Sequence, residues 1–307
     1  MIPLDPELEA YNAAVAAAVP RATDATPHAR RTRAELIASR FAFPADAVAR
    51  TDHWLALPGR EVAVRVYRPR AGRLPALLYL HGGGWVSGSI ATHDGICATL
   101  ARDAGVVVAS VNYRRVPENP WPAPNDDAYA ALVWLAANAA ALDVDARRIG
   151  VGGDSAGAHL AIGVALEARD RPGPPLALQL LIYPVIEPGF TTASYARHAV
   201  TATLTRDDMM EFWRLYLPQP GAGDARALPG QATLAGLPPA HVVVAGHDPL
   251  HDEGASFASR LASAGVTVTL AEAPALAHGF VRAVPFVAAA RAAVDAMSRA
   301  VAAALSR

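Results

Sequence analysis

Between residues 62 and 67 the chain alternates Val62, Val64 and Val66 with Ala63, Arg65 and Tyr67. That period of two predicts a half-buried β-strand. Near-continuous apolar runs follow at 76–80, 106–111, 149–151, 176–182, 242–245 and 266–270. Short runs of this kind, bounded by turn residues, predict parallel strands buried on both faces. Helices are predicted between and after them at 126–141, 156–168, 253–264 and 286–305. The alternation of strand and helix predicts an α/β doubly wound sheet. Two regions break it. Residues 1–45 carry no strand signal and read as helical. Residues 187–230 interrupt the sheet and place Met209, Met210, Phe212, Trp213, Tyr216 and Leu217 at mostly helical spacing. Together these regions predict a helical cap, leaving 46–186 and 231–307 as the core. The alternative is an ordinary pair of peripheral helices.

Composition narrows the function classes. Of 307 residues, 52% are apolar and 18% charged, which supplies a core and excludes wholesale disorder. The 27 basic and 28 acidic side chains leave a net charge of −1, so nothing draws the chain generally to nucleic acid or anionic membrane. No apolar run approaches the roughly 20 residues that span a bilayer. Cys97 is the one cysteine, so no intrachain disulfide forms. The acidic first residues and the short apolar stretch at 13–19, closed by Pro20, read as a helix rather than an export signal. A cytoplasmic protein is expected.

The candidate chemistry sits after strands. Gly153-Asp154-Ser155-Ala156-Gly157 matches G-x-S-x-G, follows the strand at 149–151 and opens the helix at 156–168. In that context the serine occupies a sharp turn that lifts its hydroxyl above the sheet. The bland alternative is a glycine-rich turn with Ser155 as helix cap. His81-Gly82-Gly83-Gly84-Trp85 follows the strand at 76–80. Its glycines let backbone N–H groups approach a developing oxyanion, and Gly83, Gly84 and Ala156 are the chosen donors. A phosphate cradle is the rival, but neither phosphate-binding fingerprint accompanies the glycines. His81 reads as a brace for the loop.

Serine needs a base, and the base needs an orienting acid. Asp248 directly follows the strand at 242–245, and His278 follows the last strand, giving the chain order Ser155, Asp248, His278. Asp252 is a rival acid. His159, four residues after Ser155, reads as packing beneath the turn rather than as a base. His247 and His251 have a zinc-compatible spacing, but Pro249 between them argues against a metal helix, and no metal is expected.

These residues together resemble the hormone-sensitive-lipase-like carboxylesterases, the bacterial family IV esterases, from about Leu74 to the end of the chain. His81–Trp85 and Gly153–Gly157 look like the two signature motifs of that family. Tyr113-Arg114-Arg115-Val116-Pro117-Glu118, Pro122–Asp127, Asp248–Gly254 and His278-Gly279-Phe280 are similar to its remaining segments. Ala158, His159, Arg115, Val116 and His247 depart from its usual residues. The resemblance implies an α/β-hydrolase fold, with a mostly parallel eight-stranded sheet, flanking helices and a helical cap. It implies Ser155, Asp248 and His278 as triad, no cofactor, and short- to medium-chain acyl esters as substrates. Trp85, Met209, Met210, Phe212 and Trp213 are candidate pocket residues, with cap packing as their alternative role. A homodimer is common in the family. Amide hydrolysis or acyl transfer would use the same triad. A non-catalytic receptor on this fold would lack the histidine, which is present here as His278.

Overall fold

The apolar runs become strands in the computed structural model, which describes residues 2–21, 26–44, 48–201, 203–219 and 221–306. The domain limits expected at residues 1, 45, 46 and 307 lie outside the described residues. Two helices lead, α1 (Pro6–Ala18) and α2 (Pro27–Arg40). There follow β1 (Ala49–Leu57), β2 (Arg60–Arg68), β3 (Leu74–Leu80), α3 (Asp94–Ala104), β4 (Val107–Asn112), α4 (Ala123–Ala137), β5 (Val144–Asp154), α5 (Ala156–Asp170) and β6 (Leu178–Ile182). The interruption holds α6 (Ala193–Arg197) and α7 (Arg206–Tyr216). The chain closes with β7 (Ala240–His247), α8 (His251–Ser263), β8 (Val268–Ala277) and α9 (Ala288–Leu305).

The strands form one sheet in the order β1-β2-β4-β3-β5-β6-β7-β8. The pairs β1–β2 and β2–β4 are antiparallel, and the remaining pairs are parallel. This is the α/β-hydrolase architecture. The apolar pattern missed β1 and α3 and cut β5 and β8 short. β1 pairs with β2 alone at the sheet edge, and of its side chains only Leu55 is buried. An edge strand wetted on both faces needs no apolar alternation.

Alternation along the central strands divides the core. In β3, Ala76, Leu78 and Leu80 join the cluster that holds Leu132 of α4 and Leu160 of α5. Leu77 and Tyr79 face the other way, onto Leu100 of α3 and Val294 of α9. Each such leucine, fully buried, stabilises the fold by about 2 kcal/mol. The sheet is therefore covered on both faces, and its loops emerge at the strand ends.

The order of connection reverses at β3, which has β4 on one side and β5 on the other. Loops leaving neighbouring strands there turn to opposite faces and open a crevice at the carboxyl edge. Leu80, the last residue of β3, pairs with Gly153 of β5. That register sets the glycine loop at 81–84 beside the turn that carries Ser155.

Candidate active site

The turn from β5 to α5 is made by sterics. A Cβ on Gly153 would lie 2.2 Å from the Leu80 carbonyl oxygen, and one on Gly157 would lie 1.9 Å from the same atom. Only glycine fits at either position. Between them Ser155 takes φ 57° and ψ −122°, a conformation costly for any residue with a side chain. Its amide donates to the Ile182 carbonyl at 2.9 Å, which ties the strained residue to the end of β6. The serine side chain makes no capping bond to α5. The helix-cap alternative therefore does not describe Ser155.

The other two residues arrive from β7 and β8, two and three strands away from β5. His278 Nδ1–H donates to Asp248 Oδ2 at 2.7 Å. The Ser155 hydroxyl donates to His278 Nε2 at 2.9 Å. The carboxylate only accepts, so it fixes the tautomer that leaves Nε2 free to take a proton. Asp248 is fully buried, and its Oδ1 accepts the Leu250 amide at 2.9 Å. Ser194 steadies this loop by donating from its hydroxyl to the Pro249 carbonyl at 2.7 Å. Asp252, the rival acid, instead accepts from the Ser194 amide and lies beside Arg197 and His251. His247 bonds the Ile2 carbonyl, so His247 and His251 are engaged with separate partners. Among the described residues no group of three metal-ligating side chains comes together.

The glycine loop is anchored from beneath. The buried Asp154 accepts, through Oδ1, the Tyr79 hydroxyl at 2.8 Å and the Gly82 amide at 3.0 Å, with His93 Nε2 at 3.3 Å. Burial alone would raise this carboxyl, but His93 and the Tyr79 hydroxyl outweigh it and hold Asp154 below the usual range. Gly83 and Gly84 follow at φ 122° and 62°, open to glycine. Among the described residues no acceptor occupies the amides of Gly83, Gly84 or Ala156. His81 stacks on Tyr113 with ring centroids 4.2 Å apart, and its Nδ1 bonds the Gly82 carbonyl. Burial pushes its pKa down to about 3.

A cavity of about 220 Å³ opens onto Ser155 and His278. Its floor is Gly82–Gly84, and its roof comes from α2 and α7. Asp208 on α7 receives Arg30 of α2 at 2.9 Å and Arg21 at 3.1 Å, joining the two helices. Of the five side chains expected to line a pocket, only Phe212 does. A Cβ on Gly84 would touch its ring at 2.4 Å. The other four are corrections. Trp85, at φ 58°, turns away from the cavity and stacks on Tyr216 at 4.2 Å, with Trp213 set edge-on. Met209 and Trp213 lie on the buried side of α7, while Met210 is exposed. Helical spacing sorts these residues by face, and Phe212 alone points at the glycine loop. His159 lies in the same aromatic cluster as Trp85, bonding the Ala227 carbonyl at 3.0 Å. Burial brings its pKa to about 4.

Sequence reasoning passed over Tyr79 and His93 under the glycine loop, and Arg33 and Arg282 in the cavity wall. Only the adjacency of Asp154 to Ser155 gave any signal.

Comparison with known proteins agrees in fold. The chain matches the sequence profile of the α/β-hydrolase fold over residues 77–282. It is 44% identical over 228 residues to carboxylesterase NlhH of Mycobacterium tuberculosis, covering 72% of each chain. It is 40% identical over 233 residues to ethyl acetate hydrolase of Pseudomonas putida, covering 73% of each. The structure of a hyperthermophilic esterase from the archaeon Pyrobaculum calidifontis superposes with a TM-score of 0.91 at 38% identity, covering 98% of this chain and 99% of the other.

Proposed function

The chain belongs to the α/β-hydrolase family, in its hormone-sensitive-lipase-like branch, and from that premise we propose that it is a serine carboxylesterase acting on short- to medium-chain acyl esters through Ser155, His278 and Asp248. The observation that carries this reading is the unbroken relay at 2.9 Å and 2.7 Å from Ser155 Oγ through His278 to Asp248. The ester hydrolases among its relatives support the reaction class.

In this mechanism His278 Nε2 takes the Ser155 proton as Oγ attacks the ester carbonyl carbon. The carbonyl oxygen becomes an oxyanion and accepts from the amides of Gly83, Gly84 and Ala156, each donor worth about 3 kcal/mol in the transition state. Asp248 keeps the imidazole oriented and stabilises its cation. The carbon–oxygen bond to the alcohol breaks, and His278 returns the proton to the leaving oxygen. Water then attacks the acyl-enzyme by the same route, releasing the acid and restoring Ser155. Acyl and alcohol portions share a cavity of about 220 Å³, below the roughly 300 Å³ where drug-sized sites begin, which favours the shorter acyl chains. We assign α2 and α7, with the segments around them, to a cap over this cavity.

The test is release of p-nitrophenol from p-nitrophenyl butyrate by the wild type and by folded Ser155→Ala. The variant is expected to lose activity by at least about a thousandfold. Equal rates in the two proteins would refute the assignment of Ser155.

A further inference from the structure

The cavity wall carries an excess of positive charge. Four arginines face the space in front of Ser155: Arg21, Arg30, Arg33 and Arg282. Against them stand two carboxylates, and each is already engaged. Asp208 holds Arg21 and Arg30. Asp154 is turned beneath the glycine loop onto Tyr79, Gly82 and His93. Arg33 and Arg282 are left without a carboxylate within 4 Å among the described residues. Arg33 donates through Nε to the Val19 carbonyl at 3.1 Å. The Arg282 guanidinium makes no hydrogen bond among the described residues. It lies against Gly279, where a Cβ would come within 2.8 Å of its Nη2.

Both side chains are half-buried. Burial lowers the pKa of Arg33, and the like charges of Arg21 and Arg282 lower it further, against a smaller opposing pull from Asp208. Asp208 and Asp154 act on Arg33 and Arg282 only from beyond ion-pair distance, and two half-buried guanidinium groups without a directly paired carboxylate are costly to hold together. The arrangement becomes favourable when an anion enters. A carboxylate matches the planar fork of a guanidinium in charge and shape.

Position decides which part of a substrate carries that anion. Gly279 is the neighbour of His278, whose Nε2 hands its proton to the leaving alcohol oxygen. Arg282 lies on the same stretch of cavity wall as His278 and Gly279, and that is the side to which we assign the alcohol.

We propose that Arg282 and Arg33 form an anion seat, and that the substrates it selects are esters whose alcohol portion bears a carboxylate. This rests on the carboxylesterase reading of the same site. The reaction is unchanged in its balance. Ser155 Oγ bonds the acyl carbon, the acyl carbon–oxygen bond breaks, and the proton from His278 goes to the alcohol oxygen. The carboxylate stays ionised and leaves on the hydroxy acid.

The experiment uses a matched pair of probes, 4-(butanoyloxy)benzoate and its methyl ester, which differ in the charge of the leaving portion. Release of the phenol is followed for both, and the quantity read is the ratio of their kcat/KM values. Inherent reactivity cancels when that ratio is compared between proteins. Arg282→Gln is expected to lower the ratio of anionic to neutral probe by at least about tenfold, the low end for a hydrogen bond to a charged group. Arg33→Gln is expected to lower it in the same direction. In the wild type, raising sodium chloride to about 0.5 M should lower it as well, a readout that needs no variant. A ratio unmoved by salt and by either folded variant overturns the anion seat. Ser155→Ala separates the two claims. If it abolishes both probes while the ratio never moves, the esterase reading stands and the anion seat falls. If it abolishes neither, the esterase reading falls first.

Discussion

Removing the Asp154 side chain tests whether the glycine loop is held in place or merely rests there. Asp154 is 4% exposed, and its carboxylate gathers the Tyr79 hydroxyl, the Gly82 amide and His93 onto a single oxygen. Asp154→Ala leaves these polar groups facing a small buried gap. At about 1–3 kcal/mol for each unsatisfied group, the loss of stability is on the order of 4 kcal/mol. The kinetic effect is separate. Gly82 loses its hydrogen bond to the end of β5, and the Gly83 and Gly84 amides behind it lose their aim. Misplacing one oxyanion donor by the equivalent of about 3 kcal/mol lowers kcat about a hundredfold. That interaction is made only in the transition state, so KM for p-nitrophenyl butyrate should barely move. Asp154→Asn keeps the acceptor and the shape and removes the charge, so it should recover most of kcat. The assay is kcat and KM for the three proteins, with urea denaturation to establish that each is folded. If folded Asp154→Ala kept kcat within a few fold of wild type, the anchoring argument would be wrong. If Asn were as damaging as Ala, charge rather than placement would be the cause.

Two further outcomes follow from burial and from close packing. His159 and His81 stay neutral in the folded protein down to about pH 4 and about pH 3, whereas unfolded imidazoles take protons near 6.5. The unfolded state therefore binds more protons over this range, and stability falls as pH drops from about 6.5 towards 4. His159 alone accounts for about 3 kcal/mol of that fall, so His159→Asn should flatten urea-unfolding free energies measured at pH 7 and pH 4.5; an unchanged fall would show that another group is responsible. Gly157→Ala would set a methyl 1.9 Å from the Leu80 carbonyl oxygen, with rigid backbone on both sides. The unfolding midpoint is expected to drop by the equivalent of several kcal/mol, roughly the upper range for overpacking, and a midpoint within error of wild type would show that α5 can move away from β3.

What the sequence disclosed, and what it hid, divides along a physical line. Ser155, Asp248 and His278 were legible because each directly follows a strand, and the parallel sheet brings its carboxyl ends to one edge. Gly153 and Gly157 were legible because a turn this tight excludes every other residue type. The same steric demand exposed the loop at 82–84. The pocket wall obeys no such rule. Trp85 stands next to the glycines in the chain, yet its backbone carries it into a stack with Tyr216. Phe212 reaches the same glycines from 128 positions further along, by the packing of α7. β1 escaped notice because its pairing with β2 makes it a strand while its side chains remain largely outside the core. Arg33 and Arg282 are ordinary arginines in the sequence. They gain meaning only where α2 and the segment after β8 meet over Ser155, with Asp208 already taken by Arg21 and Arg30. Chemistry common to the family is thus written in backbone constraint, which few residue types satisfy. In the anion seat we propose, selection among substrates is written in the charge left over after packing, which any pair of distant residues can supply. Mutating the wall should therefore change which ester is preferred more readily than whether esters are cleaved.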